Sequence, residues 1–468
     1  MRKLYWYITA YVRKHGLIFV LSLVGAIILF SFFISSIASN LETKKTHYVG
    51  IIGSFTLSNL PEMIQHQISS GLTQINEDGS VSPLLAERWA IEQEGTAYRF
   101  VLKTGLTWQD GKPVKPEDLT YQLTDIEVVA TPQDIVFKLP TAFSPFPTKV
   151  SQPVFREGEM KTKFIFKQPT LIGIGPYKIT DYKQSEGQKI SELTVDGPED
   201  HYVYRFFLTE QDAVTAFKRG EVDILPELAQ HQDIMDWQNV QVINQLNYNQ
   251  YLAVFFNHQD PIFQKNVRQA LSYAVHKPTD NTRAIGPLNP LSWTYLAGGK
   301  PYDYDLDRAV ERLISELPRL PLEFDLTTTT LFEDDAKQIQ EDWQKLGQAA
   351  MEKCQSTSDI TEKDLCPNLQ ITTRLHITNF PDVSNFQLLL VGQQTSPDPD
   401  QYEFWHSGEP GNMTGYKNTR IDNLLEIGRQ TYDKQARKEI YQEFQQFLLE
   451  DAPAIFIKYL PSYTVERK

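Results

Sequence analysis

The chain has 468 residues and a net charge of −14, with 41% hydrophobic, 12% aromatic and 22% charged residues. That is more than one compact domain holds, at roughly 100–200 residues each. The composition excludes a disordered or fibrous chain, and the acidic balance excludes wrapping of nucleic acid by overall attraction.

Arg2, Lys3, Arg13 and Lys14 precede the first acidic residue, Glu42, so a basic tip leads an acidic body. From Leu17 to Ile37 the run LIFVLSLVGAIILFSFFISSI carries no charge. About 21 helical residues at 1.5 Å each cover roughly 31 Å, the thickness of a bilayer's hydrocarbon core. Ser36-Ile37-Ala38 has the small-x-small form of a signal-peptide cleavage site, yet the run is longer than the ~7–15 apolar residues of a cleaved signal. A retained transmembrane anchor at 17–38 is therefore expected. Basic residues before it place 1–16 in the cytoplasm, and Tyr5, Trp6, Tyr7 and Tyr11 suit the interface. A polar linker at 39–46 then leads to a body outside the cytoplasm.

In the body, Tyr48–Ile52 reads as a strand, and the Asp-Gly of NEDGS (Asn76–Ser80) as a turn. Tyr98, Phe100 and Leu102 alternate as a half-buried strand does. Trp108–Gly111 is a turn and Lys115–Tyr121 a short helix. Further strands are expected at Ile135–Leu139, Tyr177–Ile179, Val222–Leu225 and Tyr251–Phe256. Helices follow at Val267–Val275, Leu306–Leu317 and Asp334–Lys353, the last with Ala336, Ile339, Trp343 and Leu346 on one face. Ala436, Ile440, Phe444 and Leu448 mark another helix, and Ala454–Tyr459 a closing strand. Mixed elements without a 20–50-residue repeat predict an α/β body with mixed sheets.

Catalytic motifs are missing. There is no HExxH, no GxSxG and no Gly-rich Lys-Ser/Thr phosphate loop, and the nine histidines are scattered. SPDPDQYE (Ser396–Glu403) clusters Asp398, Asp400 and Glu403, but the spacing misses an EF-hand, and such a turn reads as solvated. No catalytic residue, metal or cofactor is expected. The two cysteines, Cys354 and Cys366, would be free thiols in the cytosol; outside it they are placed for one disulfide.

Five blocks resemble the family 5 extracellular solute-binding proteins, the oligopeptide, dipeptide and nickel receptors of ABC importers. GLTQINEDGSVSPLLAERWAIEQEGTAYRFVLKTGLTWQDGKPVKPEDLTY (Gly71–Tyr121) is similar to the family's N-terminal signature. GIGPYKI (Gly173–Ile179), AVTAFKRGEVDI (Ala213–Ile224) and YLAVFFNHQDPIFQKNVRQALSYAV (Tyr251–Val275) follow in the family's order. GNMTGYKNTRIDNLL with ARKEIYQEFQQFLLEDAPAIFIKY resembles its closing section.

The resemblance implies a two-lobed periplasmic-binding-protein-like fold of the class II type behind the N-terminal helix. Lobe I would take 47–255, with a reduced accessory subdomain at about 122–172; lobe II would take 256–450; and 451–468 would return to lobe I. It further implies a membrane-anchored, monomeric receptor that captures short peptides or a similar polar organic solute for an ABC permease and its ATPase. A tethered sensor on the same fold and an extracytoplasmic enzyme are the alternatives. The expected ligand-binding residues are Phe55, Trp293, Thr395, Ser396 and Trp405, with aromatic walls and hydroxyls in the interlobe cleft. Thr395 stands where peptide-binding members carry an Asp for the ligand's α-ammonium, so little dependence on a free amine is expected.

Overall fold

The computed structural model describes residues 44–468 except 159, 160, 164, 165, 169, 359 and 361, and before them only residues 6, 14, 16, 22 and 24–27. The anchor expected at 17–38 thus lies outside the described residues apart from 22 and 24–27. Among the described residues no helix is long and apolar enough to cross a membrane.

The body is built on one ten-stranded sheet. In chain order its strands are β1 (Lys45–Ile52), β2 (Lys178–Gln184), β3 (Ile190–Asp196), β4 (Asp200–Phe207), β5 (Ile224–Leu228), β6 (Val240–Phe256), β7 (Leu322–Thr328), β8 (Ile371–Ile377), β9 (Leu388–Gln394) and β10 (Ala454–Arg467). Across the sheet they run β2-β3-β4-β1-β5-β10-β6-β9-β7-β8. The two central strands, β6 and β10, are also the longest. Their antiparallel ladder is continuous from Val240↔Arg467 to Asn247↔Leu460, shifts over Tyr248–Gln250, and resumes at Tyr251↔Tyr459. On the first side of that break β10 is flanked by β5, and on the second side β6 is flanked by β9. The sheet therefore has two halves, joined by β6 running out and β10 running back. The changeover falls at 248–250 and 459–460, beside the lobe limits expected at 255 and 451.

The second half forms because its central strands are apolar on both faces. In β6, Leu252, Val254 and Phe256 enter one core, and Tyr251, Ala253 and Phe255 the opposite one. A period-two alternation of apolar residues on both faces leaves neither face for water. One face is covered by the helices Lys265–Ala274 and Glu333–Ser356, and the other by Lys434–Asp451. A separate four-stranded sheet in the first half (Ala86–Glu92, Ala97–Leu102, Asp134–Lys138 and Glu127–Ala130) has its own aromatic core of Tyr98, Phe100, Phe137 and Phe146. It is the accessory sheet below.

The helix expected at Lys115–Tyr121 is instead one 3₁₀ turn at Pro116–Asp118, ended by Leu119 in extended backbone. Leu119 turns into the accessory core, and the Tyr121 hydroxyl bridges Leu72 N and Val150 O. Those tertiary bonds outweigh the helical propensity of a short segment.

Cys354, in the last helical turn before Thr357, and Cys366, in the 3₁₀ segment Lys363–Leu369, form a disulfide buried in the second-half core. Replacing both cysteines by serine should lower stability by about 3 kcal/mol in urea unfolding, the chain-entropy value for so short a loop. On the native chain, prepared without reductant, a thiol reagent should label neither residue until the protein is both unfolded and reduced.

His258 Nε2 donates to Pro453 O at 3.2 Å, and its ring packs edge-on against Tyr416. Burial, aided by the nearby Arg268 guanidinium, pushes it down to about 4 from 6.5. The unfolded chain therefore binds this proton below pH 6.5 while the folded chain refuses it until about pH 4. Stability should fall as pH drops through that window, by about 3 kcal/mol at 1.36 kcal/mol per unit. His258→Gln should flatten the pH dependence of the urea midpoint between pH 6.5 and 4; an unchanged slope would refute the assignment.

Candidate functional site

Two cavities lie between the halves. The larger, about 810 Å³, opens where β6 and β10 change over, with Asn247, Gln250, Lys458, Leu460, Pro461 and Ser462 lining it from those strands. Its first-half wall begins at Pro61–Met63, the entry to the helix Glu62–Ile68. It continues at a bulge in β5, where pairing with β10 shifts between Leu225 and Leu228. Glu227 sits in that bulge with φ 59°, a left-handed backbone that side chains other than glycine seldom adopt. A bulge redirects a side chain out of its ladder position, and here Glu227 lines the cleft.

The second-half wall carries Thr329, Leu331, Phe332 and Asp335 at the head of the helix Glu333–Ser356, and then the end of β9. β9 pairs with β6 along its whole length, but β7 takes only Leu388–Leu390, because β7 stops at Thr328. Among the described residues no strand covers the other side of Val391–Gln394. Val391, Gly392 and Gln394 line the cleft. An unpaired strand edge offers backbone N–H and C=O groups to any extended chain laid beside it.

Charge in this cleft is one-sided. Lys458 pairs with Asp335 at 2.6 Å. Glu62 has only His66, at 3.5 Å, and its hydrogen bond to that ring holds the carboxyl below the usual range. Glu227 makes no ion pair among the described residues. Against one ammonium stand three carboxylates, all able to accept hydrogen bonds from a cationic or N–H-bearing solute.

The smaller cavity, about 180 Å³, lies between the accessory sheet and the helix Lys434–Asp451, with Trp89 and Trp293 in its walls. Lys434 Nζ is 5.2 Å and the Arg437 guanidinium 5.8 Å from the Trp293 ring centre, within cation–π range. Arg437 also donates two bonds to Asp398, of 3.0 and 2.7 Å, between side chains that are 7% and 6% exposed. Arg429 donates to Asp400 at 2.8 Å. Burial lifts the Asp400 carboxyl above its ordinary range even with that guanidinium beside it. The turn expected to be solvated is thus a buried ionic one. The helices Thr419–Gln430 and Lys434–Asp451 bring two arginines against it, which a local sequence pattern does not reveal.

The expected site residues are dispersed. Thr395 is buried, with its N–H donating to Asn249 O at 2.8 Å, and Ser396 is exposed, its hydroxyl accepting from Asp398 N; both continue directly from the free edge of β9. Trp293 walls the smaller cavity. Phe55 is half-buried against Phe206, with ring centres 5.5 Å apart. Trp405 is buried among Phe255, Tyr416 and Phe456. Phe55 and Trp405 therefore pack in apolar clusters and line neither cavity. Sequence reasoning missed Glu227 and the Asp335–Lys458 pair. A lysine inside the apolar run AIFIKYL was the available signal, since a buried strand tolerates a charge only with a partner.

The profile of bacterial extracellular solute-binding proteins, family 5 (middle region), matches residues 80–398. The chain is 24% identical to the oligopeptide-binding protein AppA of Bacillus subtilis, over 88% of this chain and 85% of that protein. It is 21% identical to the dipeptide-binding protein DppE of the same organism, over 89% and 85%. Its fold is similar to that of NikZ from Campylobacter jejuni in complex with Ni(L-His), with a TM-score of 0.68 at 21% identity, over 91% of this chain and 94% of that one. The likeness assigns a mixed α/β, periplasmic-binding-protein-like fold.

Removing one member of a buried ion pair strands the other. Asp398→Ala should therefore destabilise the protein by about 3–5 kcal/mol, read in urea unfolding with the disulfide intact. Replacing both partners, Asp398→Leu with Arg437→Met, should recover most of that loss; equal losses in the single and double variants would contradict this reading.

Proposed function

The chain belongs to the bacterial extracellular solute-binding proteins of family 5, and from that premise we propose that it is the solute-binding receptor of an ABC importer, taking short peptides or a similar polar organic solute into the larger cleft. The observation that carries this reading is the unpaired edge of Val391–Gln394, which lies along that cleft opposite Glu62 and Glu227. A peptide laid there gains main-chain hydrogen bonds of the kind a strand gives, independent of its side chains. At about 810 Å³ the cleft has room for several residues. The names of relatives that bind oligopeptides and dipeptides support the same class.

In this reading the apolar run at 17–38 is retained as a single membrane anchor, with 1–16 cytoplasmic and the body outside. The receptor works as a monomer, delivers its solute to a permease driven by an ATPase, and carries out no chemistry of its own. The residues 47–255 with the returning 451–468 form lobe I and 256–450 lobe II. Thr395 and Ser396 stand at the end of the peptide-pairing edge, where Thr395 supplies no charge. The first-half wall does, in place of the weak amine dependence expected from Thr395 alone: Glu227 faces the amine of a bound peptide.

Calorimetry on the purified full chain in detergent tests this with three probes: a free tripeptide, its N-acetylated form and nickel–histidine. The free tripeptide should bind. Acetylation and Glu227→Gln should each weaken it about tenfold, or 1.4 kcal/mol, and together no more than either alone. Binding of nickel–histidine but of neither peptide would overturn the solute class. Additive losses would show that the amine is placed by another group.

A further inference from the structure

We propose that the accessory sheet is a clasp: it fastens the first half to the second across the mouth of the smaller cavity, and it holds the protein closed before any solute binds. The halves are joined covalently only along β6 and β10, where the ladder breaks at Tyr248–Gln250. Every other bond between them must form when they meet and break when they part. Four such hydrogen bonds lie together on the accessory side.

Trp293 N donates to Asp78 O at 3.0 Å, and Ser144 N to Arg429 O at 2.6 Å. The Ser144 hydroxyl donates to Gly428 O at 3.0 Å, and the Tyr432 hydroxyl to Glu94 O at 2.8 Å. All four acceptors are backbone carbonyls, Asp78 and Glu94 in tight turns and Gly428 and Arg429 in the last turn of the helix Thr419–Gln430, so the bonds need no bridging solute.

The seats for this contact are shaped in the backbone. Gly79 and Gly95 have φ of 75° and 86°, and a Cβ on either would run into the other half: Pro397 O in one case, the Tyr432 ring and hydroxyl in the other. A glycine serves where the backbone must be approached this closely. The contact also encloses the cavity between Trp89 and Trp293, away from the cleft assigned to the solute. Nothing in the solute cleft takes part: none of the seven residues making the four bonds lines it. Closure by the clasp and closure by solute are therefore separate contributions to one equilibrium, and a fixed bonus to the closed state adds to whatever a solute supplies.

The test needs no solute, so it stands or falls independently of the peptide reading. Spin labels are attached to cysteines introduced at two exposed positions, Lys103→Cys on the accessory side and Glu341→Cys in the second half; both native cysteines are buried in their disulfide. The distance between labels is measured on the full chain in detergent, on protein shown by mass spectrometry to carry no solute. The native clasp should give one short distance. Ser144→Ala with Tyr432→Phe removes two hydroxyl bonds without adding bulk, and should shift the closed-to-open ratio about tenfold or more towards a longer distance. An unchanged distribution in that variant, or a native chain that is mainly open without solute, would overturn the proposal. Far-ultraviolet circular dichroism and the urea midpoint of each half establish that the variant is folded, and a longer distance arising from unfolding would count against the clasp.

Discussion

Everything in this protein hangs on one antiparallel pair, β6 with β10. It supplies the centre of the sheet, both covalent passages between the halves, and part of the lining of the larger cleft. Its two ends are chemically different. Past the break towards Phe256, the residues alternate into two apolar cores and are dry on both faces. On the other side the strand from Gln241 to Gln245 is exposed. A long strand with one end locked in a core and the other half-solvated bends most easily where its ladder is already interrupted, and here that place borders the cleft.

Buried charge is handled differently at the two cavities. Around the smaller one, Asp398–Arg437 and Asp400–Arg429 are closed pairs whose partners satisfy each other. Such pairs give geometry more than stability, because desolvation offsets much of their attraction. Around the larger cleft, Asp335–Lys458 is closed in the same way, but among the described residues Glu62 and Glu227 pair with no lysine or arginine. Fixed pairs frame the walls, and Glu227 lines the larger cleft with no ion pair among the described residues.

Much of the scaffold was legible in the chain because it depends on local period. The alternation in Tyr98–Leu102, the continuous apolar run of Tyr251–Phe256 and the four-residue recurrence in Lys434–Asp451 each report a face that must be buried. The site was far less legible. Its main features are an edge left bare because β7 ends at Thr328, a bulge in β5 and an ion pair joining residues 123 positions apart. None of these has a local pattern; each arises from which strands meet. The aromatic residues chosen from sequence illustrate the same point. Trp293, Phe55 and Trp405 are all large and apolar, and only the surrounding elements decide that Trp293 walls a cavity while Phe55 and Trp405 fill cores.

The left-handed backbone at Glu227 has a consequence for how this receptor can change over evolutionary time. The strain of that conformation, about 1–2 kcal/mol for a residue with a Cβ, is least for Asn and Asp and greatest for β-branched side chains. Unbranched polar side chains can therefore replace one another at this bulge at little further expense to the fold. The position is open to drift: its chemistry can be rewritten by single substitutions while the sheet beneath stays as it is. A scaffold that already bears left-handed backbone at a position lining its larger cleft leaves the chemistry of that wall free to wander without unfolding the protein that carries it.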